Sequence, residues 1–418
     1  MRTRRPHPVP GVLAVLLISA APAAAQDTGL NGMSRDQWLP TTVASDAPLP
    51  DDATLDTDDC RYDAELPSAF DADALRTSET AAVITVERPG PGGEGMDTCG
   101  TVAADGVDLP ERLSLGSYVL YDVDSGEVLA AKDPYGLYRP ASVIKILLVM
   151  IALDDLDMDE LVPVTAEMAN VDGSKVGVGP DGKYTARQLL QGLVMNSGND
   201  AALALAGALG GTDTTVDRMQ ELANSLGAVA TTVTTVNGLD TPDVQTTAYD
   251  LAQIYRAAFQ REDVRTLLST ETATFPGYGE YPEFQIASDN GMLYDYPGAL
   301  GGKTGFTDNA RHTFAAAAQR DGRTLGVVML NSTIAAGRLW SQAESVLDAG
   351  FDATSDTSVG TLTGGSTGED AGPDAASAAS AAPTESSLSS STTPLVIAGL
   401  GVVTVLLAGA WRLSRRRS

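Results

Sequence analysis

Ser142 stands three residues before Lys145 in the stretch LYRPASVIKILLVM, residues 137–150. A serine hydroxyl becomes a useful nucleophile only when a base takes its proton, and histidine, the ordinary base, is scarce. The chain holds 2 histidines, His7 in its first ten residues and His312. A Ser-His-Asp triad in the processed protein must therefore use His312, and a histidine metal cluster is excluded. Lysine is the alternative base. If a helix begins near Ser142, positions i and i+3 share a face and the amine can reach the hydroxyl. Pro140 favours an extended residue before it and serine suits a helix start, whose backbone N–H groups can polarise a carbonyl oxygen. Lys145 serves as a base only if burial and a second cation lower its pKa. Alone, Ser-x-x-Lys is a common pattern, with Ser142 readable as a helix cap and Lys145 as a surface lysine whose stem lies on apolar neighbours.

Two further segments change the weight of that pattern. NSGN (196–199) offers the Ser197 hydroxyl and the Asn199 amide at a helix–loop junction. GGKTGFT (301–307) offers the Lys303 cation and the Thr304 hydroxyl on glycine-flanked backbone that starts a strand. Lysine occurs only at 132, 145, 175, 183 and 303, so two of the few lysines fall inside these motifs.

The elements that must carry these residues are legible from periodicity. Two β-prone runs in 116–131 flank Asp-Ser-Gly and read as a hairpin. Helical patterns dominate from Ser142 to about Phe259: two in 185–210 interrupted at NSGND, one over 214–228 and one over 247–259. Strand character returns in 311–332, a second hairpin turning at Arg-Asp-Gly-Arg, and a helix over 335–351 closes the domain. Strands at both ends and helices between them predict one α+β domain with a shared antiparallel sheet and an inserted helical subdomain.

The flanks predict location. Residues 1–25 read as a secretory signal, with basic RTRR, an apolar run and AAA before Gln26. Residues 394–413 read as a transmembrane helix and 414–418 as a basic cytoplasmic tail. Residues 353–393, rich in Ser, Thr, Gly and Ala, read as a disordered tether. The 26–112 segment reads as an irregular, partly ordered extension before a catalytic domain at 113–352. Cys60 and Cys99 lie within it and are expected to form a disulfide in an oxidising compartment. The formal net charge of −28 argues against nucleic-acid partners. No cysteine or histidine spacing predicts a metal, and no cofactor is expected.

With all three motifs in this order, residues 115–351 resemble the low-molecular-mass penicillin-binding proteins, the serine D-alanyl-D-alanine carboxypeptidases. The segments SYVLYDVDSGEVLAAKDP, GSKVGVGPDGKYTARQLLQGLVMNSGNDAA and TTVNGLD are similar to that family as well. The resemblance implies a penicillin-binding/β-lactamase-like fold and peptidoglycan pentapeptide stems as substrate, with β-lactams as inhibitors. It implies that Ser142 forms the acyl-enzyme, Lys145 takes its proton and Ser197 shuttles a proton to the leaving D-alanine. Asn199 would hold the substrate amide and orient Lys145, Lys303 would set the electrostatics around Ser197, and Thr304 would bind the terminal carboxylate. Gly305 and Phe306 would complete the substrate strand, the N–H groups of Ser142 and Phe306 forming the oxyanion hole.

Family members carry an arginine shortly before Asn-Gly-Leu-Leu; alignment on SDNGMLYD (288–295) puts Gln285 there. Arg311 is the candidate to take over part of the carboxylate binding. No β-rich stretch follows Phe351, so a further C-terminal β-domain is not expected. Three other readings stay open: endopeptidase action on cross-links, a class A-like β-lactamase using Glu221 and Asn224, and a non-catalytic wall-binding protein.

Overall fold

Asp122 closes the first hairpin. Its carboxylate accepts the N–H groups of Asp124 and Ser125, both at 3.0 Å, and Gly126 follows at a φ of 81°, where a side chain would be strained. The computed structural model describes residues 54–68, 83–353 and 357–364. It begins its sheet with β1 (Thr101–Ala103), β2 (Ser117–Asp122) and β3 (Glu127–Lys132). A 3-10 turn over Ala141–Ile144 then runs into α1 (Lys145–Asp155), followed by β4 (Leu161–Val162), α2 (Ala166–Ala169) and β5 (Tyr184–Thr185). The helical insert continues with α3 (Ala186–Met195), α4 (Asn199–Ala208), α5 (Thr212–Ser225), α6 (Ala248–Gln260) and α7 (Glu262–Leu268). A small hairpin, β6 (Thr272–Phe275) and β7 (Phe284–Ala287), and a short α8 (Met292–Asp295) lead back to the sheet. The chain then forms β8 (Ala299–Thr307), β9 (Arg311–Arg320), β10 (Arg323–Ser332), α9 (Leu339–Asp352) and β11 (Gly360–Thr361).

The sheet is antiparallel in the order β1-β3-β2-β10-β9-β8, so the early and late strands share it as the sequence predicts. Period-two alternation sends the side chains of each strand to two different cores. Val119 and Tyr121 of β2 join the core with α1 and α6, whereas Tyr118 and Leu120 join the core under α9. Because both faces are covered, β2 is buried at every position. The α1 segment is apolar almost throughout for a related reason: α4, α5, α6 and α7 all contact it, leaving no solvent face to pattern.

Two expectations about the flanks are corrected. The structured unit begins well before residue 113. Tyr62 and Met96 enter the main core, the backbone N–H of Leu137 donates to the carbonyl of Tyr62 at 2.8 Å, and β1 extends the sheet. Cys60 and Cys99 are joined by a disulfide. The tether expected from residue 353 likewise begins with ordered structure. β11 pairs with Val128 and Glu127 of β3, and Leu362 is buried in the main core. β1 and β11 thus lie end to end along the outer edge of β3 and occupy backbone groups that an open edge would expose. Both segments were opaque to periodicity because each contributes single anchors and backbone pairing, not an amphipathic face.

Among the described residues no helix is long and apolar enough to cross a membrane. The expected signal (1–25), anchor (394–413), basic tail (414–418) and most of the tether lie outside the described residues.

Candidate active site

Ser142 occupies the 3-10 turn ahead of α1, not a helix cap, and no side-chain capping bond forms at this helix start. Its hydroxyl is therefore not committed to the backbone, and its side chain is only half-buried. The turn is held against the sheet from the other side. Thr313 of β9 donates its hydroxyl to the carbonyl of Pro140 at 2.9 Å. At Gly305 on β8 a Cβ would meet Thr313 Oγ1 at 2.3 Å and the Ser142 nitrogen at 2.9 Å. Only glycine lets the edge strand approach the serine turn this closely.

Lys145, fully buried at 0 % exposure, gathers the motifs. Its Nζ lies 3.0 Å from Ser142 Oγ, 2.7 Å from the Ser197 carbonyl, 3.3 Å from Ser197 Oγ and 2.6 Å from Asn199 Oδ1. A neutral amine has two protons and one lone pair. The carbonyl and amide oxygens only accept, and they are the two shortest contacts, so they take the two protons. That leaves the lone pair for a hydroxyl proton, and Ser142 supplies one at bonding distance. The break between α3 and α4 makes this possible: Ser197 sits at a left-handed φ of 55° and turns its carbonyl inward, with Asn199 starting the next helix. Asn199 Nδ2 donates to the Asp172 carbonyl at 2.7 Å, which leaves one amide proton for a substrate and fixes the Oδ1 end on Lys145.

The electrostatics favour that neutral amine. Burial, then the Lys303 cation, hold the Lys145 pKa well below the ordinary lysine value, with Asp200 and Asp289 partly opposing. Lys303 is itself buried on β8, its pKa lowered by burial, and its Nζ donates to the Thr304 carbonyl at 2.7 Å. Thr304 donates its hydroxyl to Asp289 Oδ2 at 2.5 Å. Phe306 follows on the same edge strand, pairs with His312 across β9, and its ring lies 4.7 Å from the imidazole.

The structure thus brings Ser142, Lys145, Ser197 and Asn199 into direct contact, with Lys303, Thr304, Gly305 and Phe306 along the adjoining strand. It separates others. Arg311 pairs with Thr307, whereas Thr304 pairs with Phe314, so Arg311 stands about 10 Å along the strand from Thr304 at the usual rise per residue. Gln285 lies on β7 and donates to Thr274 Oγ1 at 2.7 Å. Burial and the Arg338 charge lower the His312 pKa, and among the described residues the side-chain partner of Ser142 is Lys145, not His312. Glu221 and Asn224 are exposed on α5, which leaves the β-lactamase-type glutamate without a counterpart there.

Sequence reasoning missed three supports. Asp200 accepts the N–H groups of Val176, Gly177 and Val178 at 3.0, 2.8 and 3.0 Å, which shapes the glycine-rich loop beside Asn199. An acid in the first turn of a helix facing a run of glycines was the available signal. Thr313 and Asp289 carried none, because their partners are distant in sequence.

Comparison with known proteins agrees with this geometry. The D-alanyl-D-alanine carboxypeptidase model of peptidase family S11 matches residues 104–333. The chain is 42% identical over 252 residues to D-alanyl-D-alanine carboxypeptidase DacB2 of Mycobacterium tuberculosis, covering 59% of this chain and 86% of the relative. A solved D-alanyl-D-alanine carboxypeptidase of Mycobacterium tuberculosis superposes with a TM-score of 0.59 at 41% identity, covering 62% of this chain and 99% of that one. The Streptomyces K15 DD-transpeptidase superposes with a TM-score of 0.55 at 26% identity, covering 58% and 99%. A serine turned toward a buried, deprotonatable lysine, on a fold and sequence shared with these enzymes, places the chain in the serine D-alanyl-D-alanine carboxypeptidase family.

Proposed function

We propose that the protein removes the terminal D-alanine from peptidoglycan stem peptides through an acyl-enzyme on Ser142. The observation that carries this reading is the contact set of Lys145, which aims a neutral amine at Ser142 Oγ. Ser142 Oγ attacks the penultimate D-alanine carbonyl as its proton passes to Lys145. The oxyanion collects at the backbone N–H groups of Ser142 and Phe306, which suits an edge strand beside a helix start. Collapse breaks the C–N bond, and the proton returns through Ser197 Oγ, 3.3 Å from the lysine nitrogen, to the leaving amine. Water then attacks the ester and regenerates Ser142. Thr304 stands at the position of the leaving residue's carboxyl group, since residues two apart on one strand face are about 7 Å apart, roughly the reach of a single leaving residue from the Phe306 N–H.

β-Lactams would acylate the same serine and persist there. Export through residues 1–25 and anchoring through 394–413 complete the reading, with the catalytic domain outside the membrane. Mass spectrometry of pentapeptide stems incubated with the ectodomain tests the reaction: loss of one terminal D-alanine, abolished in Ser142→Ala, is expected. Cleavage only of cross-linked dimers assigns endopeptidase action instead, and no cleavage with no penicillin labelling refutes the catalytic reading. Membrane fractionation before and after deletion of 394–418 tests the anchor.

A further inference from the structure

The two backbone N–H groups that receive the oxyanion in the acyl-enzyme reading stand on different elements, Ser142 on the serine turn and Phe306 on β8. Their separation therefore depends on what holds the turn and the strand together. Thr313 ties the turn to the sheet at the rung where it pairs with Gly305. Phe306 lies one residue beyond that tie, and Thr307 is the last residue of β8. An acid holds this end. Asp240 Oδ1 accepts from the Thr307 hydroxyl at 2.9 Å, and Asp240 Oδ2 accepts from Asn309 Nδ2 at 2.8 Å. A carboxylate only accepts, so the direction of both bonds is fixed. The Thr307 oxygen in turn accepts the Ala310 N–H at 3.0 Å, which links the carboxylate to the turn between β8 and β9.

Asp240 reaches that strand from a loop seated on the serine turn. The hydroxyl oxygens of Thr234 and Thr241 lie 2.6 Å apart and close the loop. Gly238 sits at a φ of 77°, and a Cβ there would meet the Ala141 carbonyl oxygen at 2.2 Å. Only glycine lets the loop backbone rest on the residue before Ser142. Arg139, three residues before Ser142, is buried, and the Asp240 charge partly offsets the burial of its guanidinium. The hydrogen bonds of Asp240 go to the end of β8 and the turn after it, not to Ser142 or Lys145.

We propose that Asp240 is a positioning residue for the oxyanion hole: by holding the end of β8 to the loop that rests on the serine turn, it sets where the Phe306 N–H stands relative to the Ser142 N–H. The inference rests on the acyl-enzyme reading above, in which these two groups receive the developing charge. β8 ends the sheet order, with β9 as its strand partner. Removing the carboxylate takes the acceptor from Thr307 and Asn309 and lets the strand end shift with its turn. A displacement of about 1 Å at a reacting geometry costs on the order of 100-fold in rate. The loss falls on the transition state, where the oxyanion forms, and not on ground-state binding of the peptide.

The test uses the full-length chain and two substrates: a diacyl-D-Ala-D-lactate ester, and the same ester with sulfur in place of the penultimate carbonyl oxygen. Sulfur accepts N–H groups poorly, so the oxygen-to-sulfur ratio of acylation rates reads the hole itself. Asp240→Ala is expected to slow acylation by the oxygen ester about 30-fold, less than the roughly 100- to 1,000-fold cost of losing a whole donor. The oxygen-to-sulfur ratio is expected to fall about tenfold, with the binding constant of the ester within about threefold of wild type. Asp240→Asn keeps an oxygen for the Thr307 proton and is expected to restore most of the ratio. Thr307→Val removes the hydroxyl and leaves the acid; it is expected to lower the ratio in the same direction, and it carries the test if Asp240→Ala does not fold. Wild-type acylation in these two variants, or slower acylation with an unchanged oxygen-to-sulfur ratio, overturns the positioning role and leaves the carboxypeptidase reading standing. Failure of the wild type to acylate Ser142 with either ester, read by intact-protein mass spectrometry, overturns that reading and this inference together.

Discussion

Asn199 should set the proton affinity of Lys145, and its substitution has a signed consequence. Its Oδ1 accepts from Lys145 Nζ at 2.6 Å in a buried site. A hydrogen bond to an ammonium contributes about 1.5–3 kcal/mol against about 1 kcal/mol for a neutral donor. The acceptor therefore favours the protonated amine by roughly 1 kcal/mol, close to one pKa unit. Asn199→Ala should lower the Lys145 pKa further by about that much, so the rising limb of acylation moves to lower pH. Asn199→Asp places a carboxylate at the same point and should move the limb to higher pH. Both variants should also lose plateau rate, by up to about 100-fold, because an amine displaced by 1 Å no longer meets Ser142 correctly. The assay is the second-order rate of Ser142 labelling by a fluorescent penicillin across the pH range that the fold tolerates. Equal limbs in all three proteins, or shifts of the same sign in both variants, would refute the assignment of Lys145 as the base under Asn199 control.

Three predictions concern stability. Burial pushes the Asp133 carboxyl up to about 7 from 3.8, so it binds more protons folded than unfolded between those values. Its contribution is fully present below pH 3.8 and is lost as pH rises through about 7, worth about 4 kcal/mol at 1.36 kcal/mol per unit. Asp133→Asn should flatten that part of the profile in urea melts at stepped pH, and an unchanged slope would count against it. Leu362→Ala should cost about 2–3 kcal/mol, since Leu362 is 4% exposed and its N–H donates to the Gly126 carbonyl at 2.7 Å. A variant as stable as wild type would mean that β11 is dispensable. Reducing the Cys60–Cys99 bond, which spans 39 positions, should destabilise by about 4 kcal/mol in the chain-entropy account. Denaturant titration with and without a reductant measures it, and coincident curves would contradict it.

Sequence alone determined the chemistry in outline. Histidine scarcity pointed to a lysine base, and three short motifs named Ser142, Lys145, Ser197, Asn199, Lys303 and Thr304. Periodicity located both main hairpins and the helices over 185–260, because each buries a repeating face. Tertiary structure decided what depends on contacts between distant residues. Ser142 lies in a 3-10 turn and not at a cap because Thr313 and Gly305, from the far end of the domain, clamp that turn. β1 and β11 belong to the sheet through backbone pairing to β3, which leaves no side-chain pattern to read. The spacing between Arg311 and Thr304 along the sheet is set by strand register, a property of the β8–β9 pair that neither strand displays by itself. The Thr304–Asp289 contact forms because the turn before α8 carries Asp289 to Thr304, 15 residues along the chain. Motifs name reactive groups, but the proton on Thr304 and the lone pair on Lys145 are directed by neighbours that only folding brings near.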